Sequence, residues 1–210
     1  MPVVTIRGQY SSDAPEIGEQ IARELGIDYM DQKIIADVAQ RLRTSNQRIA
    51  EKEMPPSTLL GRIAEAIRSN YVFDSGYLDM YLPLGEMPLD DKNYLAGLTN
   101  VITEMAKSGN IVIRGRGGQF ILKDFPGAFH IMIVTPLEKR IRRVMTESQV
   151  DEKAARDEIK RHDSSLREFI KRYFRAENDD PQHYDLVIST AHFSIDAAVQ
   201  VALGALRLKQ

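Results

Sequence analysis

Short, wholly apolar runs alternate along this chain with longer stretches in which apolar residues recur every three or four positions. The runs Val3-Val4-Thr5-Ile6, Ile111-Val112-Ile113, His130-Ile131-Met132-Ile133-Val134 and Tyr184-Asp185-Leu186-Val187-Ile188 are short and rich in β-branched residues, as strands covered on both faces are. Ile27 to Met30 is a further short extended piece. The stretch from Pro15 to Gly26 opens on proline and closes on glycine, which predicts a helix. Tyr94 to Lys107 is a second helix, with Leu95, Leu98, Val101, Ile102, Met105 and Ala106 on one side and Ser108-Gly109-Asn110 as its stop. Gln119 to Lys123 is a short helix, and Pro136 starts one that runs through Arg140 and Arg143. Asp151 to Arg175 reads as one or two charged helices, and Ser194 to Leu208 as a closing amphipathic helix. Strands alternating with helices predict an α/β fold, a three-layer parallel sheet with helices on both faces.

One region breaks the rhythm. Asp31 has the position of a helix cap before Ile34, Ile35, Val38 and Ala39, Ser45 begins another short helical piece that Pro55-Pro56-Ser57 ends, and Leu59 to Ile67 is amphipathic. From Tyr71 to Asp91, aromatics and methionines crowd among glycines, prolines and acids, which suits core packing, a subunit contact or substrate contact. About 28–92 is therefore an insertion, and about 148–180 a helical lid, within one domain spanning 1–210.

Composition narrows the function. With 210 residues the chain supports one sizeable core. A net charge of −2 and a pI near 6.1 disfavour nucleic acid and anionic membranes as partners. There is no cysteine, which suits a reducing cytoplasm, and His130, His162, His183 and His192 lack metal-ligand spacing, so no metal site is expected. No leader-like segment and no run of 18 apolar residues occurs, so the expectation is a soluble, cytoplasmic protein.

Candidate chemistry follows from topology, because parallel α/β sheets bind ligands at the carboxyl ends of their strands. The Arg7-to-Pro15 loop, Gly115-Arg116-Gly117-Gly118, Thr135-Pro136 and Ser189-Thr190 all follow a strand and should gather at one edge. The first has the layout of a phosphate-binding loop entering a helix, but it lacks the lysine and glycines of G-x-x-x-x-G-K-[ST]. Arg116, flanked by glycines, can form a bidentate grip on a phosphate or carboxylate, or bridge loop carbonyls instead. On the charged helix, Arg156, Lys160, Arg161, Arg167, Lys171, Arg172 and Arg175 read mostly as a solvated face with pairs such as Asp157–Arg161 and Glu168–Arg172. Some of these arginines can also close over a transferring phosphoryl group.

Read in order, the blocks resemble a known family. Thr5-Ile6, Tyr10, Glu16-Ile17-Gly18, Ile21-Ala22-x-x-Leu25-Gly26-Ile27-x-Tyr29-x-Asp31 and Ile34-Ile35 resemble the opening of the cytidylate kinase-like family. Ile111-Val112-Ile113-x-Gly115-Arg116-Gly117, Phe125-Pro126, Pro136-Leu137-x-x-Arg140, Asp163, Tyr173-Phe174 and Asp179-x-Pro181-x-x-Tyr184-Asp185 resemble its later blocks. The resemblance implies a P-loop NTPase core of the nucleoside monophosphate kinase type, with ATP and Mg2+ as donor and a pyrimidine nucleotide as acceptor. It also implies catalytic roles for Arg116, Arg167 and Arg172, and nucleotide binding by Gln9, Tyr10, Ser11, Ser12, Asp13 and Ala14. Acceptor binding is implied for Asp31, Arg116 and Asp163.

The departures fall on the loop. Ser11, Asp13 and Ala14 stand where the family has glycines, and Pro15 stands where it has a basic residue. Asp13 is expected to repel a triphosphate unless a cation intervenes, and Pro15 removes one N–H from the anion nest. Ser12 can replace a Mg2+-coordinating hydroxyl. In the lid, Asp163 and Arg167 lie four apart where the family spaces acid and arginine by three, with Leu166 at the expected position. Three readings follow: a nucleoside monophosphate kinase in which Arg7, Arg116 and lid arginines replace the lysine; a regulatory protein that binds a nucleotide or other phosphate ligand without efficient transfer; and an interaction module with a vestigial cleft, in which Tyr71 to Leu84 forms a homodimer or partner surface.

Overall fold

The computed structural model describes residues 1–31 and 91–209. The helices expected between Asp31 and Ile67, and the irregular stretch from Tyr71 onward, lie outside the described residues apart from their ends. The elements run β1 (Val3–Gly8), α1 (Ala14–Leu25), β2 (Asp28–Met30), α2 (Asp91–Ser108), β3 (Ile111–Arg114), α3 (Gly118–Ile121), β4 (Ala128–Val134), α4 (Leu137–Ser148), α5 (Glu152–Phe174), a 3-10 turn (Pro181–His183), β5 (Leu186–Ser189) and α6 (Ile195–Lys209).

The five described strands form one parallel sheet in the order β2-β3-β1-β4-β5. Adjacent residues of one strand enter opposite cores, as the period of two requires. Val3, Ile111 and Ile113 pack with Met30, Leu98, Ile102 and Met105 under α2 and the end of α5. Val4, Ile6, Val112 and Ile131 pack with Ile17, Ile21, Val199 and Leu203 of α1 and α6. Burial on both faces is why these runs are mostly apolar, with the polar pair Thr5 and His130 meeting through Oγ1 and Nδ1 at 2.8 Å. Each such side chain contributes about 1.5–3 kcal/mol of transfer free energy.

Helix ends follow their local chemistry. Gly26 terminates α1 in the left-handed region, its N–H returning to the carbonyl of Arg23. The side chain of Asp151 accepts from the N–H of Ala154 and starts α5. The charged stretch forms one continuous helix, because no residue between 152 and 174 breaks the backbone pattern. Glu152–Arg156 is one i,i+4 ion pair along it, with Glu138 of α4 joining the same guanidinium. β4 starts earlier than the apolar run suggested, at Ala128, because Val3 and Val4 of β1 pair with Ala128 and Phe129. β5 runs Leu186–Ser189; ahead of it, Asp185 accepts from the His130 N–H at 2.8 Å and pairs with Lys209 at 2.6 Å.

Two arrangements position the site. Gly18 of α1 meets Ile6 and Tyr29 so closely that a Cβ there would lie 3.1 and 2.8 Å from their side chains, which presses the start of α1 onto the end of β1. Ile141 and Val144 of α4 pack with Ala155 and Ile159 of α5, and Tyr10 rests on this cluster. Further along, Phe169 and Ile170 of α5 join the core beneath α2. α5 therefore runs from its packing against α4, past the loop after β1, to the core beneath α2.

Candidate functional site

The loop after β1 is folded tightly upon itself. Ser12 N–H donates to the carbonyl of Gln9 at 3.1 Å, Ser11 has a φ of +54°, and the Ser12 hydroxyl accepts from Ala14 N–H at 3.3 Å. A Cβ on Gly8 would sit 2.1 Å from that hydroxyl oxygen, so Gly8 is required by the return of the chain. Other amides of the loop also meet acceptors of the chain itself: Tyr10 N–H donates to Asp163 Oδ1 at 3.1 Å and Asp13 N–H to Thr135 Oγ1 at 3.2 Å. Four of the amides expected to cradle phosphate, those of Tyr10, Ser12, Asp13 and Ala14, are thus engaged internally. Gln9 also turns inward, its Oε1 accepting from Thr135 N–H at 3.2 Å.

Asp13 precedes α1 without capping it, and its side chain is fully buried. Its carboxylate accepts from the Thr190 hydroxyl, from Lys139 Nζ at 2.8 Å and from Arg143 Nη2 at 2.6 Å, with Thr135 Oγ1 3.2 Å away. Arg143 also donates to the Ser12 carbonyl at 2.7 Å and pairs with Glu16 at 3.2 Å. Burial opposes the charge, yet these hydrogen bonds and cations hold the carboxyl below its ordinary range, so it is ionised at neutral pH. The expected intervening cation is therefore present, and it comes from α4. Lys139 and Arg143 lie four apart, on one helical face, and the Thr residues end β4 and β5; the sequence held these signals, but nothing in it linked them to Asp13.

α5 is fastened to the same loop. Tyr10 stacks on His162 with ring centroids 3.9 Å apart and 7° between planes, and its hydroxyl donates to Glu158 at 2.5 Å. Burial and then Glu158 push that phenol up to about 12. Asp163 joins Arg140 at 2.9 Å while holding Tyr10 N–H; Arg140 also donates to the Tyr10 carbonyl at 3.2 Å. Arg167 is exposed and donates to the Ser164 hydroxyl at 3.2 Å, whereas exposed Arg172 lies 5.8 Å over the Tyr173 ring.

On the other side of β1, Gly115, Arg116 and Gly117 have φ values of +82°, +53° and +70° in succession. This left-handed turn is anchored by Gly115 N–H on the Ile6 carbonyl at 3.1 Å and by Gly118 N–H on the Gly115 carbonyl at 3.1 Å. A Cβ on Gly117 would be 2.4 Å from the Phe174 ring of α5. The turn buries Arg116, and an arginine in this backbone region is a strained choice, as functional residues often are. Next to it, Arg114 pairs with Asp31 at 3.3 Å, so Asp31 and the Arg116 turn lie at one end of neighbouring strands. The edge predicted from topology is therefore real, with the loop after β1 between the Arg116 turn and the Thr135 and Thr190 positions.

The donor set can be compared with the group that the resemblance implies. The Ser12 hydroxyl faces Gly8 inside the turn, which does not suit a Mg2+ ligand, and Asp13 is saturated by cations and hydroxyls. Among the described residues no cluster of three His, Asp or Glu side chains could hold a metal ion. No helix of the described residues is long and apolar enough to cross a membrane.

Residues 3–192 match the Cytidylate kinase-like family. Two curated relatives align over 105 residues, half of this chain: a uronate isomerase of Corynebacterium glutamicum, 28% identical, and a cytidylate kinase of Methanocaldococcus jannaschii, 27% identical. The chain covers 20% of the first and 59% of the second, less than two thirds of either. Among solved structures, an uncharacterized protein from Eubacterium ventriosum superposes with a TM-score of 0.69 at 17% identity, covering 99% of this chain and 98% of that one. A gluconokinase from Sinorhizobium meliloti gives 0.53 at 15% identity, covering 99% and 93%. A shikimate kinase from Bacteroides thetaiotaomicron gives 0.52 at 12%, covering 98% of both chains. At such identities the likeness is one of fold alone.

Proposed function

We propose that this chain, which belongs to the cytidylate kinase-like family, binds a pyrimidine nucleoside monophosphate at the carboxyl edge of its sheet and phosphorylates it with ATP and Mg2+. The observation that carries the reading is the pair of α4 cations, Lys139 at 2.8 Å and Arg143 at 2.6 Å, seated on the loop whose own sequence lacks a lysine. Phosphoryl transfer depends on positive charge around the moving group far more than on covalent chemistry from the protein. Arg143 is tied to Ser12, Asp13 and Glu16 and serves to hold the loop, whereas Lys139 has a side chain 40% exposed and can turn to a donor phosphate. Arg116 is the acceptor-side grip, with Asp31 beside it and Asp163 reaching the acceptor once the lid shifts. Arg167 and Arg172 are carried on the lid helix toward the phosphates. Mg2+ would arrive with the ATP, held mainly by phosphate oxygens and water, and would neutralise charge on the phosphates. The site of action is the cytoplasm, the compartment that supplies both nucleotides.

A second reading is favoured by the internal bonds of the loop. If the amides of Tyr10, Ser12, Asp13 and Ala14 keep their present partners, the protein binds a phosphate ligand without efficient transfer and acts in regulation. A coupled ADP-release assay with CMP and dCMP, run beside titration calorimetry with ATP-Mg and CMP, separates the two. Turnover that falls roughly 100-fold or more in Lys139→Met supports the kinase reading; binding of either nucleotide without turnover supports the second. Wild-type-like transfer by Arg116→Ala would remove the acceptor assignment.

A further inference from the structure

The strongest unused feature is the buried guanidinium of Arg7, the last side chain of β1 before Gly8. It is only 6% exposed, and its position at the carboxyl edge lies one residue past Ile6, whose carbonyl anchors the Arg116 turn. One nitrogen, Nη2, pairs with Asp179 Oδ1 at 2.8 Å. The other two, Nε and Nη1, are buried without a hydrogen-bond partner. A planar guanidinium has five donors arranged to meet two-oxygen anions, and leaving part of that fork dry and unpaired is costly unless a ligand completes it. The partner it does have is held loosely: the Asp179 side chain is 51% exposed and belongs to the segment between α5 and β5. Nearby Tyr184 is already committed, donating to the Asn178 carbonyl at 2.9 Å and accepting from Gln119 at 3.0 Å. Its phenol also lies beside the Arg7 guanidinium, yet Nε and Nη1 still lack a partner in hydrogen-bond geometry.

Charge at this edge also separates the two sides of the loop. Around Asp13, the cations Lys139, Arg143 and Arg140 are matched by Asp13, Glu16 and Asp163. Around the β1 and β3 ends, Arg7 and Arg114 pair with Asp179 and Asp31, and Arg116 lies buried in the turn beside them. We infer that Arg7 is a phosphate-binding residue of this site: a phosphoryl group entering between the β1 end and the Arg116 turn displaces Asp179 and takes the Arg7 fork in its place. The inference rests on the nucleotide-binding reading above and adds to it the residue that grips the anion and the carboxylate that guards it. Asp179 thus acts as a resident stand-in for phosphate, keeping the guanidinium oriented while the site waits.

Titration calorimetry on the full chain tests this with CMP, with cytidine and with ATP-Mg, on wild type, Arg7→Gln and Asp179→Asn. Arg7→Gln should weaken the phosphate-bearing ligand by roughly 10- to 100-fold, the scale of a lost charge-assisted hydrogen bond, and leave cytidine unchanged. Asp179→Asn, altered on the exposed side of the pair where folding is less at stake, should tighten the same ligand several-fold. Whichever of CMP and ATP-Mg responds identifies the phosphate concerned, that of the acceptor or that of the donor. Wild type binding CMP or ATP-Mg while both variants bind it within twofold of wild type overturns the role of Arg7 and leaves the nucleotide-binding reading standing. Wild type binding neither nucleotide overturns both.

Discussion

Replacing Asp13 by asparagine keeps the shape of the side chain and removes its charge, and the surroundings set the size of the effect. The carboxylate is fully buried and faces two cations, Lys139 and Arg143, whose side chains are 40% and 21% exposed. Breaking a buried ion pair on one side costs about 3–5 kcal/mol, but water reaches both stranded cations here, so a loss of about 2–4 kcal/mol is expected. For a domain of this size each kcal/mol moves the melting temperature by about 2–4 °C, which gives a drop of about 4–16 °C at pH 7. The pH dependence carries a second check. Because the folded carboxyl titrates below its ordinary value, its stabilisation is complete above the unfolded value near 3.9 and is lost as pH falls through the lower folded one. The gap between wild type and Asp13→Asn should therefore persist from pH 7 to pH 5 and close only below about pH 4. Differential scanning calorimetry across that range reads both quantities. An unchanged melting temperature at pH 7, or a gap that has already vanished at about pH 5.5, would refute the buried ion-pair cluster as the anchor of the loop.

Gly117→Ala puts a methyl group 2.4 Å from the Phe174 ring on a backbone with φ +70°, so a loss of about 2–4 kcal/mol is expected in urea unfolding. Tyr10→Phe deletes the hydrogen bond to Glu158 and retains the stack on His162; stability should fall by about 0.5–1.5 kcal/mol, with faster amide exchange confined to residues 9–13 and the facing turn of α5. His130 and His162 both titrate below the ordinary histidine range, chiefly through burial, so each favours folding when neutral. Their contribution is present above about pH 6.5 and is lost as pH falls toward the lower folded values, and His130→Asn with His162→Asn should flatten that limb of the stability profile.

The layers of the fold were legible because the strands are short, continuous and buried on both faces, so their runs cannot be mistaken for amphipathic helices. Val3 and Val4, or Ile111 and Val112, needed no partner information to be read as strand. The convergence of loops at one edge was equally legible, since it follows from parallel topology alone. What the sequence could not supply was direction. Asp13 sits where a family glycine should be, and a linear reading makes it a carboxylate beside phosphate; the fold turns it toward the ends of β4 and β5, where Thr135, Thr190, Lys139 and Arg143 arrive from positions 122 to 177 residues away. The same holds for Asp163, whose spacing to Arg167 mattered less than its reach to Arg140 and the Tyr10 amide.

That displacement of roles has a mechanistic consequence. A glycine-rich loop waits with open amides and relies on its own lysine, whereas this loop is held shut by side chains from α4 and α5. On the function proposed above, phosphate would reach these amides by exchanging bonds with Asp163, Thr135 and the Ser12 hydroxyl, the first of which belongs to α5. The position of α5 and the closure of the loop are therefore coupled, since the Asp163 carboxylate that bonds Arg140 also holds the Tyr10 amide. On that reading, a ligand that opens the loop would also favour displacement of α5, and one that displaces α5 would loosen the loop, by the reciprocity of linked equilibria.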